Sequence, residues 1–396
     1  MKTAGIICEC NPLHGGHLYL LEQARASGAD AVVAVMSGCF VQRGEAAVAD
    51  PYARAEILVR AGFDAVVELP FPFAAASAEF FGAAGVEILS RLGVDELWFG
   101  SECGDVQALS RCAEIADSDA FAARYNANVQ RADGTARAYF DVLREMCADA
   151  AVTFDPNDIL AISYLRALCK TDSKMQPVTV KRRGSGYAQQ TLTDAEFPSA
   201  TALRHAWRER GLDAITPYLP APCAEILARE AASGRAPADM RAIDALTLGH
   251  FRMCDPASLE SVAELGGGLG NRMAQLSHRA TTAEELMALC ATKKYTDARL
   301  RRGALFALAR VGERDLRGEI AYVRLLAANR TGCAFLAQIR KSATIPVVTR
   351  QTDVPETAAA RAQLALESRA RDLYAMTLPT RESGEVLMRR TPVITE

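Results

Sequence analysis

Apolar residues near the amino end fall into short runs separated by stretches of helical periodicity. Ala4 to Cys8, Asp30 to Met36, Ala65 to Leu69 and Asp95 to Phe99 each have strand length and no polar alternation, the pattern of strands buried on both faces of a parallel sheet. Between them, amphipathic patterns predict helices to about Ala24, from Arg54 to Ala61 and from Phe80 to Leu92. Strands and helices alternating at this spacing predict a doubly wound, Rossmann-like α/β sheet. Residues 106–150, rich in Ala, Arg and Asp, read as a helical insertion. A helix from Asn157 and a short strand at Pro177–Val180 follow, and beyond Thr201 the pattern is helical. The expected division is therefore a nucleotide-binding domain at 1–205 and a mainly helical domain at 206–396.

The first strand runs into the most informative segment. Asn11-Pro12 signals a turn, Gly15-Gly16 removes side chains from a point of close approach, and His14 and His17 fall on one face of the helix that follows. Only five histidines occur in the chain, and two sit here. A helix start at the carboxyl edge of a first strand favours phosphate through unpaired amides and the helix dipole. Two imidazoles aimed the same way suit charge stabilisation at a nucleotide α-phosphate during adenylyl transfer. The plainer reading of the motif is a helix-capping loop with surface histidines.

Charge and cysteine usage narrow the class. The net charge of −3 alone argues against a generic nucleic-acid binder. Its distribution is uneven, however: 18 Lys/Arg against 26 Asp/Glu up to His205, and 27 against 22 beyond it. An acidic nucleotide-type domain joined to a basic one is expected of a protein that holds a polyanion. Eleven cysteines without any Cys-x-x-Cys fit neither a disulfide framework nor a zinc ribbon. Gly5, Glu9 and His14 interrupt any signal-peptide run and no long apolar stretch occurs, so a cytoplasmic protein with no membrane partner is expected.

A second helix start, Pro198-Ser-Ala-Thr-Ala-Leu-Arg204, offers the hydroxyls of Ser199 and Thr201 and the guanidinium of Arg204. Alone it reads as an ordinary N-cap. Paired with His14-Gly-Gly-His17 it becomes the other half of a triphosphate grip. Together the two segments resemble the HxGH-type nucleotidyltransferase superfamily. Glu9-Cys-Asn-Pro-Leu-His-Gly-Gly-His17, Met36-Ser-Gly-Cys-Phe-Val-Gln-Arg-Gly-Glu45, Phe99-Gly-Ser-Glu102, Pro156-Asn-Asp-Ile-Leu160 and Lys181-Arg182 narrow this to a resemblance to the tRNA(Met) cytidine acetate ligase family. Gly268-Leu-Gly-Asn-Arg272 and Thr292-Lys-Lys-Tyr-Thr-Asp-Ala-Arg299 extend the similarity over nearly the whole chain. Leu13 and Gly15 stand where the family has Phe and Asn, Cys10 where it has Tyr, and Asp158 where a second Asn is common.

The resemblance implies that acetate is activated with ATP as acetyl-adenylate and transferred to N4 of the wobble cytidine of elongator tRNA(Met). It places Ile7, Cys8, Glu9, Cys10, Asn11, Pro12, Leu13, His14, Gly15, Gly16, His17, Leu18, Tyr19 and Leu20 at the ATP, with Gly100, Asn157, Arg182, Ser199 and Thr201. His14, His17 and Arg204 become the catalytic residues, and Ser37, Gly38, Gln42 and Arg43 form a loop beside the site. Magnesium is expected only as the usual companion of ATP chemistry, since no acidic cluster marks a metal site. For the tRNA, Lys181 and Arg183 form one basic cluster and Lys293, Lys294, Arg299, Arg301 and Arg302 another, although a solvated helix face reads equally well. The competing functions are a cofactor-precursor adenylyltransferase and a non-catalytic RNA-binding protein.

Overall fold

The computed structural model describes residues 1–129, 135–182 and 198–396. The first half runs β1 (Thr3–Cys8), α1 (Gly15–Ala26), β2 (Ala31–Ser37), α2 (Pro51–Arg60), β3 (Ala65–Leu69), α3 (Ala78–Leu92) and β4 (Glu96–Ser101). The insertion supplies α4 (Val106–Ala116), α5 (Asp119–Val129) and α6 (Thr135–Met146), and α7 (Pro156–Lys170) then leads to β5 (Gln176–Lys181). The second half begins with α8 (Ala200–Arg210), α9 (Ala221–Ala232), α10 (Asp244–Met253), α11 (Leu269–Ser277), α12 (Ala283–Cys290) and α13 (Asp297–Ala309). It continues with β6 (Val323–Ala328), α14 (Arg330–Ile339), β7 (Val347–Val348), α15 (Ala358–Ala375), α16 (Gly384–Met388) and β8 (Val393–Ile394).

The sheet order is β5-β4-β1-β2-β3-β6, with β7 and β8 pairing along β6. The first five strands are parallel and β6 is antiparallel to β3. Strand order reverses between β1 and β4, which opens a crevice at their carboxyl ends. Alternation along each strand divides the core. Ile7, Val33, Val67 and Leu97 point to α3, α4 and α7, while Ile6, Val32, Val66 and Trp98 point to α1, α2, α8 and α9. A separate apolar cluster within α10 to α13 gathers Leu248, Phe251, Met273, Leu286 and Leu300.

Several boundaries move from the expected ones for local reasons. Helix α2 starts three residues early because Asp50 accepts from Tyr52 N at 2.8 Å and Pro51 fits the first helical position. The larger difference lies in the second half, where no strand was expected and β6, β7 and β8 occur. Residues Val323–Ala328 are rich in helix formers and run straight into α14, so their pattern merges with a helix. The open edge of β3 and burial on both faces make them a strand. Residues on both sides of position 205 share one core, since Leu203 and Trp207 of α8 pack with Leu58 and Leu326.

Of the chain's two tryptophans, Trp98 on β4 belongs to the first half and Trp207 on α8 to the second, so Trp207→Phe leaves a single reporter of the first half, and the test is made in that background. Leu326 of β6 is fully buried. Leu326→Ala is expected to lower stability by about 3 kcal/mol and to shift the urea midpoint read by tryptophan fluorescence. A second half that folded on its own would leave that signal where it was.

Candidate active site

The crevice between the ends of β1 and β4 contains a cavity that brings together residues distant in sequence. Ile7, Cys8, Glu9, Cys10, Asn11, His14, His17 and Leu20 line it from the first turn. Gln42 and Arg43 line it from the following loop, Gly100, Asn157 and Arg182 from the β4, α7 and β5 side, and Ser199, Thr201 and Arg204 from α8.

His14 is the N-cap of α1. Its Nδ1 accepts from Gly16 N at 3.1 Å, and His14 N in turn donates to Nδ1 of His17 at 3.3 Å. Two imidazoles thus form the reciprocal box usually built from a serine and a glutamate. Their ring centroids lie 4.0 Å apart. A Cβ on Gly16 would meet His14 Cε1 at 3.1 Å, so the second glycine makes room for the ring. With both Nδ1 atoms accepting, the proton of each neutral ring sits on Nε2. Burial, then Arg182 and Arg204, hold the His14 pKa down to about 4. Burial, then His14 and Arg182, hold His17 well below its ordinary value. Both rings are therefore neutral donors near pH 7 rather than cations. The helix-start amide expected to bind phosphate is partly engaged as well, because Gly16 N already has His14 as its acceptor.

Arg204 is buried and aimed at the same place. It donates to Asn11 O at 2.9 Å and to Thr201 Oγ1 at 3.4 Å, with Glu45 Oε2 at 3.5 Å. Ser199 caps α8 by accepting from Ala202 N at 3.1 Å. Asn11 is tied to Val48 N through Oδ1 at 2.7 Å, while its buried Nδ2 has no partner and stands on the cavity wall. Glu9 accepts from Gln42 N at 2.9 Å, and burial raises its pKa. On the opposite wall, Glu102 accepts from Asn157 Nδ2 at 2.6 Å and from Asp158 N at 2.8 Å. Buried Asp158 accepts in return from Glu102 N, Cys103 N and Thr153. Every one of those bonds needs an acceptor, which accounts for a carboxylate at a position where the family often has an amide.

Other expected site residues lie elsewhere. Pro12, Leu13, Gly15, Gly16, Leu18 and Tyr19 do not line the cavity; Leu13 is buried in the core, where its carbonyl faces Cys223 Sγ at 3.7 Å. Ser37 and Gly38 turn their carbonyls to the buried Arg54. Lys181 is exposed at the end of β5, and Arg183 lies outside the described residues. Lys293 and Lys294 are exposed in the turn before α13. Arg299 turns inward to the carbonyls of Glu264 and Gly266, Arg302 pairs with Glu264 at 2.7 Å, and Arg301 stands between Asp297 and Glu45. The arginines of α13 are thus held by the folded chain, and Arg299 and Lys294 both lie over the Tyr295 ring, at 5.5 and 5.3 Å. Sequence reading missed Phe99, Leu160 and Tyr164, which also line the cavity. Asn157, Leu160 and Tyr164 recur at helical spacing on α7, a signal the sequence did contain. Among the described residues no group of three His, Cys, Asp or Glu side chains is placed to hold a metal ion.

A family model described as HIGH Nucleotidyl Transferase matches residues 1–386. The tRNA(Met) cytidine acetate ligase of Syntrophotalea carbinolica is 36% identical, covering 96% of this chain and 95% of its own. That of Bacillus licheniformis is 34% identical over 88% and 87%. The chain belongs to the tRNA(Met) cytidine acetate ligase family. The structures agree with the sequences: the apo crystal structure of Thermotoga maritima TmcAL superposes with a TM-score of 0.94 at 30% identity, covering 100% of this chain and 99% of that one. A second crystal structure of that ligase, bound with alpha-thio ATP, gives 0.90 at 29% identity, with both chains covered fully. Among the described residues no helix is long and apolar enough to cross a membrane.

The depressed histidines make a measurable prediction for this ligase-family fold. As pH falls below 6.5 the unfolded chain takes up protons that buried His14 refuses until about 4, so stability is lost across that window and none of this loss occurs above it. His14→Gln keeps an acceptor for Gly16 N without the titration. Its urea stability is expected to fall less between pH 7 and pH 5 than that of the parent, by on the order of 1–2 kcal/mol.

Proposed function

We propose that the protein is an ATP-dependent ligase that activates acetate as acetyl-adenylate and transfers the acetyl group to N4 of the wobble cytidine of elongator tRNA(Met). The reading rests on one observation above all: His14, His17 and Arg204, nearly two hundred residues apart in sequence, line a single cavity. The names of the relatives and the nucleotide-bound neighbour support it.

In the first step an acetate oxygen attacks the α-phosphorus of ATP and the bond to pyrophosphate breaks. The Nε2–H groups of His14 and His17 donate to the non-bridging oxygens as charge builds on them, and the buried unpaired Nδ2 of Asn11 adds a third donor. Arg204, with Ser199 and Thr201, holds the departing pyrophosphate. Neutral donors suit this task, since they stabilise the crowded phosphorus without binding the ground-state anion as tightly as cations would. In the second step the cytosine N4 attacks the acetyl carbonyl, AMP leaves, and N4 loses a proton. The amine lone pair is delocalised into the ring, so the donor must be as activated as an acyl phosphate. A cation accompanying ATP is carried by the phosphates as part of the substrate. Gln42, Arg43, Gly100, Asn157 and Arg182 complete the nucleotide grip, and Lys293 and Lys294 meet the RNA backbone. The protein works in the cytoplasm, where ATP and tRNA are found.

A cofactor-precursor adenylyltransferase would use the same donors but leave the second half without a partner, and a non-catalytic RNA binder would have no need of the convergent pair and arginine. Purified protein is expected to exchange labelled pyrophosphate into ATP with acetate alone, and to transfer acetyl only when tRNA is added; exchange indifferent to acetate would overturn the assignment. His17→Ala is expected to slow exchange by about a hundredfold or more while RNA affinity persists. Lys293→Glu with Lys294→Glu is expected to do the reverse, lowering RNA affinity and the magnitude of its salt dependence by about two counterions.

A further inference from the structure

Beside the cleft lies a second cavity, of about 560 Å³, between the helical insertion and α13. Gln42 and Arg43 line both cavities. The start of α7 divides them, with Asn157 and Leu160 on the cleft and Ile159 and Ser163 on the second cavity. The insertion's wall is aromatic. Buried Phe121 is followed one turn along α5 by Tyr125, whose ring lies parallel to it at 3° with centroids 6.1 Å apart. Tyr139 of α6 meets both edge-on, at 4.9 and 6.1 Å, and Phe140 meets Tyr139 at 5.3 Å. Tyr125, Tyr139 and Phe140 are only half-buried and line the cavity, although a core would normally cover three such rings.

The polar residues add flat guanidinium groups to the aromatic wall. Arg166 sits over the Tyr139 ring at 5.9 Å and is braced by Asp117 at 2.6 Å, and Arg302, braced by Glu264, lies on the α13 wall. With Arg43 they place three guanidinium groups on the lining, their charge offset by Asp117, Glu264 and Glu79, the last 3.8 Å from Arg166. A flat aromatic wall flanked by guanidinium planes fits an unstacked nucleobase, which stacks on either kind of surface. A loop that gives one base to the cleft must unstack its neighbours.

We infer that this cavity receives an unpaired nucleobase of the RNA, adjacent to the base that enters the cleft, stacked on Tyr125. The inference rests on the tRNA ligase reading and adds a recognition subsite to it. Helix α13 then serves the RNA twice, through the lysines at its start and through the cavity wall formed by Ala298 and Arg302.

The test measures affinity for an anticodon stem–loop RNA by fluorescence anisotropy, alongside acetate-dependent pyrophosphate exchange without RNA. Tyr125→Leu and Phe140→Leu are each expected to weaken RNA binding by about tenfold with exchange unchanged. Tyr125→Trp is expected to retain affinity and to lose emission when the RNA is added. Leucine variants that bind RNA within about twofold of the parent overturn the subsite, as does a Tyr125→Trp emission indifferent to RNA. Loss of exchange in the leucine variants overturns it too, because the rings would then serve the nucleotide cleft. Should the parent lack acetate-dependent exchange while the leucine variants lose RNA affinity, the ligase reading fails and the subsite stands.

Discussion

The site depends on one buried cation. Arg54 of α2 is almost fully enclosed and donates to the carbonyls of Glu9 at 2.7 Å, Ser37 at 2.8 Å, Gly38, and Ala49 at 3.0 Å. These four carbonyls belong to the loop after β1, the end of β2 with the loop that follows it, and the approach to α2. A single planar guanidinium thus fixes loops that the parallel sheet would otherwise leave as separate ends. Glu9 and Asn11 are held beside it, and they in turn hold Gln42 and Val48. The donors of the cleft inherit their positions from this knot.

The second half of the chain completes the same support. Tyr374 of α15 donates to Ala47 O at 3.0 Å and Ala238 N donates to Val48 O at 3.0 Å. Glu68, against which Gly38 lies, pairs with Arg371 at 2.6 Å inside a buried group that includes Arg324 and Glu367. Opposite charges enclosed together resist rearrangement, because separating them would leave one unpaired in the interior. Gly44, at φ 73°, brings the site loop against the backbone of Arg301 and Arg302, where a Cβ would approach to 2.6 Å. The two halves are therefore joined by the loop that borders the chemistry.

Much of this was legible in residue order. The parallel strands announce themselves because both their faces are buried, and the His14 and Arg204 segments because histidine and hydroxyl-rich caps are distinctive at strand-to-helix turns. What periodicity could not deliver was partnership. The sequence of β6 reads as helix until the edge of β3 is available to it. The run from Lys293 to Arg302 reads as one basic patch until Glu264 and Glu45 are brought beside its arginines. A cavity wall such as Phe99 resembles any core aromatic, since a hydrophobic side chain carries no mark of whether its neighbour is protein or ligand.

The antiparallel return of β6 also bears on how the molecule is made. Synthesis proceeds from the amino end, yet the strand that covers β3 starts at Val323. Until that segment leaves the ribosome, the nascent sheet presents an open border at Ala65–Leu69, apolar but for Glu68, the kind of border that recruits other chains. Tyr374 and Arg371 emerge later still. The support of the nucleotide cleft is thereby completed only after residues far downstream of its own lining have been made.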